Sequence, residues 1–162
     1  MGRVKCTLTV IFLFLGQAAL AADDIEDDES LSADQKKQLK VVQDNLKAAS
    51  KDPDKQAALS EALRGVLVQN SQPSDMAIDL LAGDMAKNIG GGNLGVRDSL
   101  LITKKLMKFL NQGDFSIDSN RGLVKDMEGI VQTSGLGQDQ RNQLYNSILT
   151  VVSTADGNAR KK

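Results

Sequence analysis

Residues 89–98 read IGGGNLGVRD, and this glycine-rich stretch decides between two interpretations of the fold. Gly90, Gly92 and Gly95 have the spacing G-x-G-x-x-G. In dinucleotide-binding domains that spacing follows a β-strand and opens a helix, so that a pyrophosphate can approach the backbone closely. Here residues 74–88 have the apolar periodicity of a helix, and no strand pattern precedes the glycines. The stretch therefore predicts a turn between two helices.

The same stretch supplies the candidate binding residues of the chain. Gly90 or Gly91 is expected in the left-handed region at the end of the first helix, and Asn93 is expected to cap the next. A P-loop is excluded, because Arg97 follows Gly95 and Val96 in a chain without the required Gly-Lys-Ser/Thr. Asn93 and Arg97, with the free N–H groups of the second helix, remain a candidate anion site.

On both sides of the glycines, apolar residues recur at the helical spacing of three and four. The patterns predict helices that begin near residues 33, 53, 74, 95, 118 and 138. Ser32 and Gln35 match a capping box, and Asp52-Pro53 supplies an N-cap before a proline at the first helical position. No window alternates polar and apolar residues as a half-buried strand would.

The predicted fold is therefore all-α, with about six short amphipathic helices in a compact bundle. Because the helix starts recur at about 21 residues, three stacked helical hairpins in a solenoid-like array are the alternative. Gly113 and Gly135 are expected to end the fourth and fifth helices, Gly135 in the left-handed region. The predicted inward positions are Leu39, Val42, Leu46, Ala49, Leu59, Ala62, Leu63, Val66, Leu67, Ile78, Leu81, Ala82, Met85, Ile89, Leu100, Leu101, Lys104 (through its stem), Met107, Leu110, Leu123, Met127, Ile130, Val131, Leu144, Ile148, Val151 and Ala155.

The N-terminal residues have the pattern of an export signal. Arg3 and Lys5 precede the apolar run LTVIFLFL at 8–15, and residues 19–21 (Ala-Leu-Ala) place small side chains where a signal peptidase requires them. The run is shorter than the ~20 apolar residues that span a bilayer. We predict a cleaved signal peptide over residues 1–21 and a periplasmic or secreted protein without a stable membrane span.

The chain after the predicted signal peptide falls into three segments that differ in charge. Residues 22–30 carry six acids in nine positions, so residues 22–31 are expected to be a disordered acidic tail. Residues 32–156 are expected to form a single all-α domain, and residues 157–162 a flexible basic C-terminus.

Composition excludes several classes of function. The chain has no His, and its one cysteine, Cys6, lies in the predicted signal, so zinc sites, thiolate nucleophiles and imidazole catalysis are not available. It has no Trp and a single Tyr, Tyr145, which disfavours the aromatic stacking that binds single-stranded nucleic acids. Without Arg3 and Lys5 the chain has 18 basic and 21 acidic residues, a net charge of −3, which disfavours nucleic-acid partners.

Carboxylates offer little further chemistry. A calcium loop that begins at Asp114 fails, because Ser119 stands where the loop needs Gly and Lys125 where it needs a bidentate Glu. We therefore expect no catalytic residues, metal or cofactor, and predict that the protein is not an enzyme. The remaining acids are interpreted as polar helix faces: Asp75, Asp79, Asp84, Asp126 and Glu128.

Residues 31–35, LSADQ, followed by KKQLK, resemble the L-T-x-x-Q motif of small periplasmic stress chaperones. Residues 136–144, LGQDQRNQL, are a looser second copy with Gly137 in the Thr position. The resemblance covers about twenty residues and implies an exported, all-helical protein that binds unfolded clients without ATP.

Elimination leaves an exported, non-catalytic all-α protein that acts by binding another macromolecule, with an unknown protein partner. The LTxxQ-type chaperone is one alternative. The other is a carrier of an apolar ligand between its helices, with a cavity lined by residues such as Leu101, Met107 and Met127. A carrier requires such a cavity, whereas a partner-binding protein requires a filled core and an exposed apolar patch.

Overall fold

A computed structural model describes Ile25 and residues 27–159, with side chains described up to residue 157. Over these residues the chain forms six α-helices and a short 3-10 helix, and it forms no β-strand. The predicted signal peptide and its cleavage site lie outside the described residues. The helices are α1 (Ala33–Ala49), α2 (Gln56–Leu67), α3 (Asp75–Gly90), α4 (Val96–Gln112), α5 (Ile117–Gln132) and α6 (Gln138–Ala159), and the 3-10 helix Pro53–Lys55 leads into α2.

The helix starts lie within three residues of the predicted ones, because the capping residues fix them locally. Ser32 accepts a hydrogen bond from the backbone N–H of Gln35, whose side chain accepts one from the N–H of Ser32, so the predicted capping box is confirmed. Ser74 and Ser116 cap α3 and α5 in the same way, each through its hydroxyl oxygen. Local side-chain chemistry thus accounts for the positions of these three helix starts.

The helices pack as a compact bundle in which partners come from distant parts of the chain. α1 packs on α2, and α4 packs on α5, as hairpins do. However, α3 packs on α2 and on α6, and α1 also packs on α4. In a stack of successive hairpins α3 would lie mainly on α4, and α5 on α6. The all-α bundle is therefore confirmed, and the solenoid-like alternative is wrong.

The apolar faces meet in one continuous core. Leu39, Leu63, Leu81 and Leu144, from four different helices, are fully buried. Most predicted inward positions are buried, while Ala62, Ile89, Leu101, Lys104 and Ile130 are only partly so. None of the described helices is long and apolar enough to cross a membrane. Core residues that the pattern did not predict include Ile102, Leu106 and Phe109 on α4.

The segment before α1 lies on the bundle rather than extending into solvent. Ile25 and Leu31 are both buried and belong to the core cluster, although residues 22–31 were expected to form a solvated tail. Ile25 and Leu31 depart from that expectation, because both side chains are buried in the core, whereas Asp27, Glu29 and Ser30 are exposed to solvent. Residues 22–24 lie outside the described part of the chain.

A single carboxylate in this segment faces two lysines of α4. Asp28 lies 2.6 Å from Nζ of Lys104 and 3.0 Å from Nζ of Lys108, and the Ser30 hydroxyl also donates to it. The hydrogen bond from Lys104, then those from Ser30 and Lys108, hold the pKa of Asp28 well below its ordinary value of 3.8. The two lysines are one helical turn apart, so Asp28 also relieves their mutual repulsion.

Replacing Asp28 by Asn should lower the free energy of unfolding by about 1 kcal/mol at neutral pH. A carboxylate whose pKa is lower in the folded state stabilises fully above the unfolded pKa, and this contribution is lost as the pH falls towards the folded pKa. The difference between wild type and variant should therefore shrink below about pH 4. Urea unfolding at neutral pH and below about pH 4 tests this. Asp27→Asn, at an exposed neighbouring position, is the control. Equal effects of the two substitutions would contradict the assignment.

Candidate functional site

The glycine-rich turn joins α3 to α4 without a strand. Gly91 is the C-cap of α3 with right-handed geometry, and Gly92 has a φ of 72°. The prediction that Gly90 or Gly91 holds the left-handed position is therefore wrong by one or two residues. Gly113 holds a second left-handed position, after α4. Gly135 does not adopt a positive φ, so its predicted left-handed cap is also wrong.

Asn93 precedes the start of α4, and Arg97 follows it in the chain. The backbone N–H of Asn93 donates to the carbonyl of Asn88 at 2.9 Å, and Gly95, not Asn93, is the N-cap of α4. Arg97 is exposed in the first turn of α4. A Cβ added at Gly95 would lie 3.2 Å from a carboxylate oxygen of Asp98, so an acid already occupies the positive end of this helix. The structure therefore adds no support for the anion site, which stays a prediction.

Replacing Gly92 by Ala should cost on the order of 1 kcal/mol of stability, because a Cβ is strained at a positive φ. Urea unfolding measures this, and Gly65→Ala, within α2, should change stability in the opposite direction. A saturable rise in melting temperature with inorganic phosphate, lost in Arg97→Ala, would instead show that the turn binds an anion.

A polar groove runs between α3 and α6, which pack antiparallel. The backbone N–H of Ser74, at the start of α3, donates to Oγ1 of Thr154 near the end of α6 at 3.1 Å. Further along, Asp84 of α3 meets the first half of α6. The groove is open to solvent, with a volume of about 380 Å³. Its lining residues are Leu80 and Asp84 from α3, and Asp139, Asn142, Gln143, Asn146, Ser147 and Thr150 from α6.

Asp84 forms the floor of this groove and is only 7% exposed. One carboxylate oxygen accepts a hydrogen bond from Nε2 of Gln143 at 2.6 Å, and the other accepts one from the hydroxyl of Ser147. The salt bridges among the described residues do not include Asp84. Lys87, the nearest cation on α3, lies one turn away and is exposed. Asp84 is thus a buried carboxylate with polar partners and no counter-ion in contact.

The interpretation of Asp84 as part of a polar helix face is wrong. Ala77, Leu81, Asp84 and Asn88 follow one another at spacings of four, three and four, which places Asp84 on a buried stripe of α3. Asn88 is also buried and donates to the carbonyl of Asp84 at 2.8 Å. That spacing could have predicted that Asp84 is buried, but the residue was assigned to the surface because of its charge.

Three of the other acids pair with cations at the surface. Asp75 and Asp79 both contact Arg64 of α2, at 2.8 and 3.6 Å. The hydrogen bonds that Arg64 donates to Asp75 and, next, to Glu61 hold the pKa of Arg64 above its ordinary value. Asp126 contacts Lys105 at 3.2 Å. Among the described residues, no group of three or more His, Cys, Asp or Glu side chains is arranged to hold a metal ion.

The residues suggested for a ligand-carrying cavity are buried or partly buried in the core. Met107 and Met127 are essentially inaccessible to solvent and pack within the core cluster, and Leu101 is partly buried. A second open groove lies on the outer face of α5, beside Ile117 and Val124.

Comparisons of the chain with models of known protein families, with curated proteins and with solved structures find no match. The resemblance of residues 31–35 to the L-T-x-x-Q motif therefore rests on those residues alone. In the structure, Ser32 and Gln35 of that motif form the capping box of α1.

Proposed function

We propose that this is an exported, non-catalytic protein that binds another macromolecule through the groove between α3 and α6. The observation that carries the proposal is Asp84, a buried carboxylate without a counter-ion at the floor of an open groove. The exported location rests on the predicted signal peptide.

Energetics favour a binding role for this carboxylate over a structural one. Removing an ionised group from water costs several kcal/mol unless an opposite charge and hydrogen bonds compensate it. Gln143 and Ser147 provide two hydrogen bonds but no charge. Apolar residues at such a position are often as stable as a buried charge or more so. A charge retained there is best explained by what the groove binds.

Two exposed apolar residues of α3 extend the surface beside the groove. Met76 is 74% exposed, and Leu80, which lines the groove, is 52% exposed; the two lie one helical turn apart on α3. Single exposed apolar residues are ordinary, but two beside a polar groove form a mixed surface typical of protein interfaces. The partner we propose is therefore a protein.

The same residues are poor catalysts, which supports a binding role. The hydroxyl of Ser147 donates a hydrogen bond directly to Asp84, and the chain has no His that could act as the base between them. A carboxylate is normally too weak a base to activate a hydroxyl unaided.

Site-specific photo-crosslinking in the exported fraction of the native organism tests the proposal. A photoreactive residue at Asn146, in the groove, should yield a discrete adduct, whereas one at Val41, an exposed position on α1 away from the groove, should not. The yield of the adduct should fall when Asp84 is replaced by Asn, which preserves the size of the side chain and removes its charge. Adducts at both positions in equal yield, or at neither, would overturn the proposal.

A further inference from the structure

We infer that the ligand of the α3–α6 groove is a polypeptide segment that places a basic side chain on Asp84 and an apolar side chain on Leu80 and Met76. This inference rests on the proposed function and specifies the chemistry of the partner.

The charge of the groove selects a cation. Its eight lining residues include two carboxylates, Asp84 and Asp139, and no Lys or Arg. A carboxylate has about four lone-pair positions, and the hydrogen bonds from Gln143 and Ser147 use two of those on Asp84. The remaining positions suit the N–H groups of a guanidinium or ammonium ion, whose charge would compensate the buried carboxylate.

The nature of the lining residues favours a peptide over a metal ion. Gln143 and Ser147 direct their donors at Asp84, whereas a metal site requires oxygen atoms that point at the ion. Asn142, Asn146 and Thr150 recur about one turn apart along α6 and offer both donors and acceptors. Such a row matches the N–H and C=O groups of an extended backbone. Nucleic acid is disfavoured, since the groove repels phosphate.

The spacing along α3 sets the distance between the ligand's two recognised side chains. Leu80 and Asp84 are one helical turn apart, about 6 Å along the axis. In an extended peptide, residues i and i+2 point to the same side and are about 6.6 Å apart. In a segment that runs parallel to α3, an apolar residue, any residue and then a basic residue therefore reach both positions at once, and Met76 adds an exposed apolar side chain one turn before Leu80.

Titration of the ¹⁵N-labelled protein with the peptide acetyl-Gly-Leu-Ser-Arg-Gly-amide tests this inference by NMR. A matched peptide carries citrulline, the neutral isostere of arginine. Chemical-shift changes should concentrate on α3 and α6, and the arginine peptide should bind about ten-fold more tightly, as expected for a charge-assisted hydrogen bond. Asp84→Asn should abolish that preference. Asp44→Asn, at an exposed position on α1, is the matched control and should preserve it.

The outcomes separate this inference from the proposed function. Equal binding of the two peptides, shift changes on other helices, or no binding up to the solubility limit of the peptide would overturn the inference about the ligand. If the photo-crosslink at Asn146 nevertheless persists and depends on Asp84, the binding face stands and only the ligand chemistry is wrong. Spermidine that competes fully with the arginine peptide would show a site for free cations instead and would also overturn the inference.

Discussion

Replacing Leu81 by Ala is expected to lower the free energy of unfolding by roughly 2–5 kcal/mol. Leu81 lies on α3, which packs against both α2 and α6, and its side chain is completely inaccessible to solvent. Truncation removes buried apolar surface and leaves a cavity that the surrounding helices can fill only in part. Leu63 on α2 and Leu144 on α6 are equally buried and should behave alike.

The adjacent residue provides the control. Leu80 is half-exposed at the groove, so Leu80→Ala should change stability by less than about 1 kcal/mol. Urea unfolding of each single variant measures the effect. Near-neutral results at Leu63, Leu81 and Leu144 together, or an equal loss at Leu80, would contradict the assignment of the inward faces.

Replacing Gly65, Gly122 and Gly129 together by Ala is expected to raise the free energy of unfolding by roughly 1.5–3 kcal/mol. All three lie in helix interiors, are exposed, and have no atom within 4 Å of the position that a Cβ would take. Each substitution in such a helix gains about 0.5–1 kcal/mol, because Ala loses less backbone entropy on folding. The sites share no side-chain partner, so their effects should add.

Two of these glycines lie on α5, which packs on α4 and exposes its outer face. Amide hydrogen exchange should accordingly be fastest in α5 among the helices, and it should slow there in the Gly122→Ala, Gly129→Ala variant. Gly65→Ala, on α2, should leave exchange in α5 unchanged. A loss of stability in the triple variant would show that a glycine has a packing role that its surroundings do not reveal.

Features determined by nearby residues were predictable from the sequence. The capping box at Ser32, the Asp52-Pro53 pair and the alternating spacings of three and four placed all six helices, because caps and amphipathic stripes act within a few residues. The solvent-exposed turn at the glycines was predicted for the same reason. The identity of the left-handed glycine was not, since neighbouring glycines tolerate that conformation almost equally.

Features that depend on tertiary contacts were not predictable in this way. The pairing of α3 with α6 joins segments about sixty residues apart, and periodicity does not specify which faces meet. Asp84 was assigned to the surface because buried acids are rare, and its partners Gln143 and Ser147 lie on that distant helix. The acidic segment likewise lies on the bundle because Lys104 and Lys108, far along the chain, face Asp28.

We propose that Asp84 serves binding and is not needed for folding. The most direct test is the free energy of unfolding of the double variant Asp84→Leu, Ser147→Ala, in which both buried polar groups become apolar and neither is left unpaired. We expect the double variant to be as stable as the wild type or more stable, because the apolar pair removes the cost of a buried charge. A loss of more than about 2 kcal/mol would contradict it, since Asp84 would then be a structural residue of the α3–α6 contact.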